Sequence, residues 1–559
     1  MTSAGDNSRA DVLLVGYERQ ENLGLRSIMA YLQAHGHRAV LVPFFPGDEG
    51  AVLAAVRQHR PRLVGFSLIF QFTLDEFGRL MRQLRADGVT AHFTAGGHFP
   101  SLRPQSTFEL IPELDSIVRF EGEVTLLELL ENLEHTEQWK NIPGLAFRYG
   151  TETIISSPRP LIADLDTLPP VFRDEPQQMG GVNIAAMLAS RGCLFNCSFC
   201  SIRQFYGAPE GRLRRVRSPQ AVVAEMRALY REKDVRFFSF QDDDFAARSS
   251  AQRTWLDSFL DELGRSSLAD KIAWKISCRV DDLDAQRLER MQAHGLIAVY
   301  LGVESGNDLG LRALNKHASV AQNLAAVELL KRHNVALSIG FMLFDPSSTL
   351  ATVRQNIRFL RTVGEDGYFP INFCKMLPYA GTPIEASLRA EGRLTGTVTQ
   401  PDYGFSDAVL DWYEFLVQQA FSRRNFAPSG LVALLQQIDF DWRLATRFSS
   451  TPASPRFGLA LNRIIRDTNL LAVESLEALL EAVVSRGIDF LLEDKDQLIE
   501  MFEREWRGEM KAEVKLNELC MWGGIAADDS SASLVSCPAQ TRWPAAEMAQ
   551  CGRSTSVGR

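Results

Sequence analysis

The run Ser190-Arg191-Gly192-Cys193-Leu194-Phe195-Asn196-Cys197-Ser198-Phe199-Cys200-Ser201-Ile202-Arg203 decides how this chain is read. Three cysteines within eight residues can each take a different iron of a cubane [4Fe-4S] cluster. Such a cluster normally takes four cysteines, so one iron is left without a protein ligand and open to chemistry. Zinc is the competing occupant, but a structural zinc usually wants a fourth Cys or His and draws its ligands from separated pairs. No histidine lies between His135 and His294.

Around this run the chain alternates between strand-like and helix-like stretches. Strands are expected near 185–190, 237–240, 271–278, 299–303, 335–343 and 372–377, with helical runs at 220–231, 251–263, 285–294, 320–333 and 350–363. Upstream, strands are expected at 12–16, 39–42, 62–68 and 90–95, with helices at 23–35 and 74–86. This alternation argues for parallel sheets, whose ligands sit beyond the carboxyl ends of the strands.

The Cys-x3-Cys-x2-Cys spacing, with Phe199 before the last cysteine, resembles the signature of the radical S-adenosylmethionine (SAM) enzymes. The resemblance implies a partial (β/α)6 barrel in which SAM chelates the open iron and is cleaved to a 5′-deoxyadenosyl radical. In such barrels chemistry collects at the strand ends. Gln241-Asp242-Asp243-Asp244-Phe245 stands where the family has an acceptor motif for the SAM amino group, so Asp242 or Asp243 is a SAM candidate. A metal site or a helix start is the other reading of these acids. Gly302-Val303-Glu304-Ser305-Gly306 resembles the ribose and methionine turn, with Glu304 and Ser305 as contacts, although it could equally be a plain strand end. Arg279 can pair with the SAM carboxylate or make a structural salt bridge. Gly340 resembles the start of an adenine contact whose second glycine is Phe344 here. Leu377-Pro378-Tyr379-Ala380-Gly381-Thr382-Pro383 resembles the element after the sixth strand, which makes Tyr379 the catalytic candidate, or else a packed tyrosine.

In the first region, Ser67 and the pair Gly96-Gly97 resemble the tail-binding contacts of the Rossmann-like cobalamin-binding domain, where glycine lets the backbone approach a flat ligand. An ordinary flavodoxin-like sheet is the alternative. Phe120-Glu121-Gly122-Glu123-Val124-Thr125 resembles the Gly-Glu-Gly-Glu-x-Thr turn of cobalamin-dependent radical SAM proteins. In the methionine-synthase-like version an Asp-x-His-x-x-Gly loop supplies the lower cobalt ligand. Here that loop reads Arg19-Gln20-Glu21-Asn22-Leu23-Gly24, so Glu21 stands at the histidine position. Bound cobalamin is then expected without a protein imidazole at that position, five-coordinate or water-ligated; loss of cobalamin altogether is the other outcome.

The resulting fold class is α/β: a Rossmann-like cobalamin-binding domain at 1–150, a linker at 151–180, a partial radical SAM barrel at 181–395, a helical C-terminal region at 396–512 and a disordered tail at 513–559. A chain of 559 residues has room for two to four domains. With 45% apolar and 23% charged residues it reads as an ordinary globular protein. The net charge of −9 gives no reason to expect nucleic acid, and the basic run Arg212, Arg214, Arg215 and Arg217 reads as a solvated or substrate-rim segment. No signal-peptide core or long apolar stretch is seen, so a cytoplasmic location, with thiolates kept reduced, is expected. Cys278 and Cys374 read as small buried hydrophobes. Cys520, Cys537 and Cys551 fall in the tail, where an auxiliary cluster would have to gather distant ligands.

The function expected from the resemblance is C-methylation of an unactivated carbon in a small-molecule biosynthetic intermediate, one SAM yielding the radical and another remethylating cobalamin. The alternative is cyclisation or ring rearrangement without net methyl transfer. The expected cofactors are the [4Fe-4S] cluster, SAM and cobalamin. The expected partners are a small-molecule substrate and an electron donor such as flavodoxin or ferredoxin.

Overall fold

The computed structural model describes residues 9–150, 152–246, 248–448, 454–486 and 495–523. The first sheet holds β1 (Val12–Gly16), β2 (Ala39–Pro43), β3 (Leu63–Ser67), β4 (His92–Gly96), β5 (Ser116–Val118), β6 (Leu145–Tyr149) and β7 (Glu152–Ile155). Its order is β2-β1-β3-β4-β5-β6-β7, parallel through β5, with β6 and β7 added antiparallel. Leu13 and Val15 of β1 pack with Val52 and Phe77 from helices Glu49–His59 and Leu74–Ala86. Val12 and Leu14 turn to the other face and meet Leu25 and Leu126 from helices Leu23–Ala34 and Glu123–Glu131. Helices on both faces are why these strands read as unbroken apolar runs.

The second sheet is built from β8 (Gln177–Met179) and β9 (Val182–Met187), then, after a small antiparallel ribbon of β10 (Ser190–Arg191) and β11 (Arg215–Val216), from β12 (Val235–Phe240), β13 (Ala273–Arg279), β14 (Leu296–Glu304), β15 (Ala336–Phe344) and β16 (Cys374–Lys375). Its order is β16-β15-β14-β13-β12-β9-β8; only β8 runs antiparallel, and the outer strands β16 and β8 do not meet. The result is an open, partial barrel. Phe238, Phe240, Trp274 and Ile276 face the outer helices. Ile184, Phe237 and Ala273, near the strand starts, pack instead on Phe440 and Leu444 of helix Leu431–Phe448. That helix fills the amino end of the barrel, and the carboxyl ends are left for the site.

Several expectations need correction. Helix Glu49–His59 separates β2 from β3 and was not foreseen, because among its small apolar residues only Val52 and Val56 are buried. The hairpin reaching Ile155 and the edge strand β8 trim the linker drawn at 151–180 to 156–176. Of the strand expected at 372–377 only Cys374 and Lys375 find a ladder. The hairpin of β17 (Leu394–Gly396) and β18 (Pro401–Tyr403) crosses the boundary drawn at 395. The tail drawn from 513 begins inside a helix, Lys495–Gly523, because Leu516 and Cys520 bury themselves against Leu435 and Leu461. Positions from 524 onward, including Cys537 and Cys551, lie outside the described residues. Among the described residues no helix is long and apolar enough to cross a membrane.

Candidate active site

The seven residues before Cys193 are held by carboxylates from both domains. Glu21 Oε2 accepts from Ala186 N at 2.6 Å, Asp242 Oδ2 from Ala189 N at 3.1 Å, and Asp243 Oδ2 from Gly192 N at 2.9 Å. Ser190 Oγ donates to the other oxygen of Asp242. Arg191 pairs with Glu121 at 3.0 Å, in the turn after β5, and with Glu123 at 2.6 Å, at the start of the helix that follows. Gly192 has φ +84°, and a Cβ there would lie 1.8 Å from Leu213 O, so this turn admits only glycine. The neighbouring basic run is not solvated as expected. Arg214 and Arg215 are buried, Arg215 pairs with Glu121 at 2.8 Å, and Arg217 pairs with Glu225 at 2.6 Å; only Arg212 is exposed.

Cys193, Cys197 and Cys200 are free thiols, the second buried and the others half-buried. Burial pushes Cys193 and Cys200 up to about 12, and the charge of Asp243 adds to both. Among the described residues no three His, Cys, Asp or Glu side chains converge on a single metal ion. A cubane needs no such convergence, since each thiolate takes its own iron. Arg279, at the end of β13, sits with Nη1 3.7 Å from Cys197 Sγ, its guanidinium 3.6 Å over the Phe195 ring and Nε 2.9 Å from Asp281. Phe199 packs against the barrel core.

Of the acidic run, Asp242 is spent on Ala189 and Ser190 and does not reach the cavity described below, whereas Asp243 lines it and is pushed up to about 6 by burial. The buried Asp244 shares a hydrogen bond with Asp282, whose carboxyl is raised to about 8 by burial and by Asp244. Nε and Nη1 of Arg214 are buried without a partner. These two guanidinium nitrogens beside the cysteine loop are what a ligand carboxylate would satisfy. Glu304 holds φ +64° and pairs with Lys316 at 2.9 Å. A Cβ on Gly340 would lie 2.5 Å from Tyr300 Oη, which explains the glycine. Ser305 is corrected: it is wholly buried, its hydroxyl tied to Asn307 and Asn356, and it braces the turn with no face open to a ligand.

A cavity of about 1030 Å³ joins the two domains. Ser67, Gly96 and Gly97 line it from the first sheet, and Asn22 Nδ2 donates to Ser67 Oγ at 3.3 Å. Gly97 has φ +116°, and a Cβ there would come within 2.5 Å of Leu68 O. The cavity runs on past Leu14, Gly65, Thr94 and Ile28 into the first domain, a depth that fits an inserted cofactor tail. Tyr379 lines it from the barrel side, its ring 5.8 Å from that of Phe70.

One residue lining the cavity and one on a barrel strand went unforeseen. His98 lines the cavity with its ring stacked 4.3 Å from Phe205 and Nδ1 3.0 Å from Ser201 Oγ; burial lowers it to about 4, so it is neutral. Lys275, in register with Ser239 and Ala298 on the barrel strands, is lowered to about 8 by burial. The alternation Ala273-Trp274-Lys275-Ile276-Ser277 carried that signal, since polar residues at every second place of a core strand mark its inner face.

The chain belongs to the radical SAM enzymes that carry a B12-binding domain: residues 10–130 match the B12 binding domain family and 187–360 the Radical SAM superfamily. It is 30% identical over 304 residues to an anaerobic magnesium-protoporphyrin IX monomethyl ester cyclase of Cereibacter sphaeroides, covering 53% of this chain and 48% of that one, so it spans about half of that relative's length. It is 28% identical to an uncharacterized methyltransferase of Pyrococcus horikoshii over 58% of this chain and 68% of that one. Its fold is similar to that of the cobalamin-dependent radical enzyme OxsB with aqua-cobalamin bound, with a TM-score of 0.68 and 15% identity over 94% of this chain and 82% of that one.

Proposed function

We propose that this enzyme transfers a methyl group to an unactivated carbon of a small-molecule biosynthetic intermediate. The observation that carries the reading is the single cavity reaching from Ser67, Gly96 and Gly97 to Asp243 and Tyr379. A methyl donor on the first sheet and a substrate held near Asp243 and Tyr379 would share this cavity.

Cys193, Cys197 and Cys200 hold the cluster and leave one iron for SAM. Asp243 accepts from the SAM ammonium, Glu304 and Gly340 contact the rest of SAM, and Arg279 keeps a positive charge at Cys197. Ser67 and the Gly96-Gly97 turn take the cobalamin tail, and Tyr379 orients the substrate. Bound there, the cluster with SAM supplies a hydrogen-abstracting radical and cobalamin a transferable methyl group. A small redox protein such as flavodoxin or ferredoxin supplies the electron.

Cyclisation without methyl transfer is the second reading, favoured by the 30% identity to the cyclase. The two are separated by quantifying 5′-deoxyadenosine and S-adenosylhomocysteine against product, with methyl-deuterated SAM. Methylation requires both nucleosides to track a product that gains a labelled methyl group. Product formed without S-adenosylhomocysteine would end the methylation reading and leave the family assignment intact.

A further inference from the structure

The helix Lys495–Gly523 buries one face and leaves another apolar and, among the described residues, uncovered. Ala512, Leu516 and Cys520 point into the core. Ile499, Trp506, Met510, Val514 and Met521 are 52, 42, 59, 57 and 77% exposed. At 3.6 residues per turn these five fall along one side of the helix. Their spacing is symmetric about Met510: Trp506 and Val514 stand four residues away, Ile499 and Met521 eleven. Glu503 and Asn517, the polar members of the same stripe, each stand seven away.

We propose that this stripe joins two copies of the chain in a two-fold dimer, the helices antiparallel and crossing at Met510. A two-fold contact uses the same patch on both copies, so a residue toward one end meets its counterpart toward the other. Antiparallel pairing sets Ile499 against Met521, Trp506 against Val514 and Met510 against itself. It also sets Glu503 against Asn517, whereas a parallel pair in register would set Glu503 against Glu503. The five side chains expose on the order of 500 Å² per copy, and burying both patches gives about 1,000 Å², the lower bound for a specific interface. An exposed apolar patch of a few hundred Å² is often functional. The dimer contact lies on the C-terminal helices and is independent of the functional reading above.

Light scattering of the full chain across a wide concentration range tests this. The wild type should show twice the chain mass of 62.5 kDa. Met510→Asp places two carboxylates face to face and should raise the dimer dissociation constant at least tenfold, with circular dichroism and iron content unchanged. Met510→Cys should form an intermolecular disulfide on mild oxidation that neither the wild type nor Lys515→Cys, off the stripe, forms. A wild-type monomer overturns the proposal, as does a dimer that Met510→Asp leaves intact or a Lys515→Cys variant that cross-links equally well. A full chain that is monomeric while a chain ending at Gly523 dimerises would also overturn it, and would assign the stripe to residues 524–559.

Discussion

Oε2 of Glu21 accepts a hydrogen bond from Ala186 N at 2.6 Å, which ties the loop after the first strand of the cobalamin-binding domain to the barrel strand that leads into the cysteine loop. The same carboxylate pairs with Arg173 at 2.7 Å and lies 3.7 Å from Arg26. The residue that stands where a cobalt-ligating histidine would be is used here as a strut between domains.

Replacing Glu21 with Ala leaves the buried Ala186 amide without its acceptor and takes one of two carboxylates from Arg173, which keeps Glu225. It should cost about 2 kcal/mol of stability. Amide hydrogen exchange should speed up in the segment holding Ala186, while exchange in β3 and β4 stays near wild type. Unchanged protection at Ala186 would remove the strut. In the wild type, electron paramagnetic resonance of bound cob(II)alamin should lack splitting from an axial nitrogen. Such splitting would contradict the reading of Glu21 and turn attention to His98 at the cavity wall.

Each of Cys193→Ala, Cys197→Ala and Cys200→Ala should lose cluster iron and SAM cleavage, because no other thiol stands at ligand spacing. Cys278→Ala, Cys374→Ala and Cys520→Ala should keep both: Cys278 and Cys520 sit in the apolar packing, and the Cys374 thiol faces Phe341 O. Full cleavage by Cys197→Ala would refute the ligand assignment.

The adjacent carboxylates Asp242 and Asp243 should fail in different ways. Asp242→Asn disturbs the grip on Ala189 and Ser190 and should cost about 2 kcal/mol of stability. Asp243→Asn keeps an acceptor for Gly192 N but removes the charge facing the cavity, so the Kd for SAM should rise about tenfold, the worth of one charge-assisted hydrogen bond. Equal SAM affinity in Asp243→Asn and wild type would move the ammonium contact to Asp244.

His92, on β4, is lowered to about 4 by burial, with Asp115 raising it and Arg85 lowering it further. Its folded value lies below the unfolded one, so the unfolded chain binds the proton first. The stability it lends is whole at neutral pH and is lost as pH falls through the window from about 6.5 toward 4. The loss should be about 1–3 kcal/mol at the acid end, and urea midpoints of His92→Gln should fall less over that range. A pH dependence identical to wild type would rule His92 out.

The two-domain plan and the three-cysteine loop were legible in the chain because both are local. Cys193, Cys197 and Cys200 share one short loop, and strands buried on both faces print themselves as apolar runs. The site candidates divided along the same line. Ser67, Gly96, Gly97, Asp243 and Tyr379 belong to strand ends, which the topology brings to one cavity. Asp242 and Ser305 stand in equivalent sequence positions, yet the structure spends them on Ala189, Ser190, Asn307 and Asn356. Whether a carboxylate or hydroxyl faces a ligand or a backbone amide depends on the partner that packing places opposite it, and those partners lie up to 53 residues away in the chain. The same holds for Glu21, whose partner Ala186 is 165 residues distant. Sequence alone marked Glu21 as a departure from a ligand pattern; only the docking of one sheet against the other made it a strut.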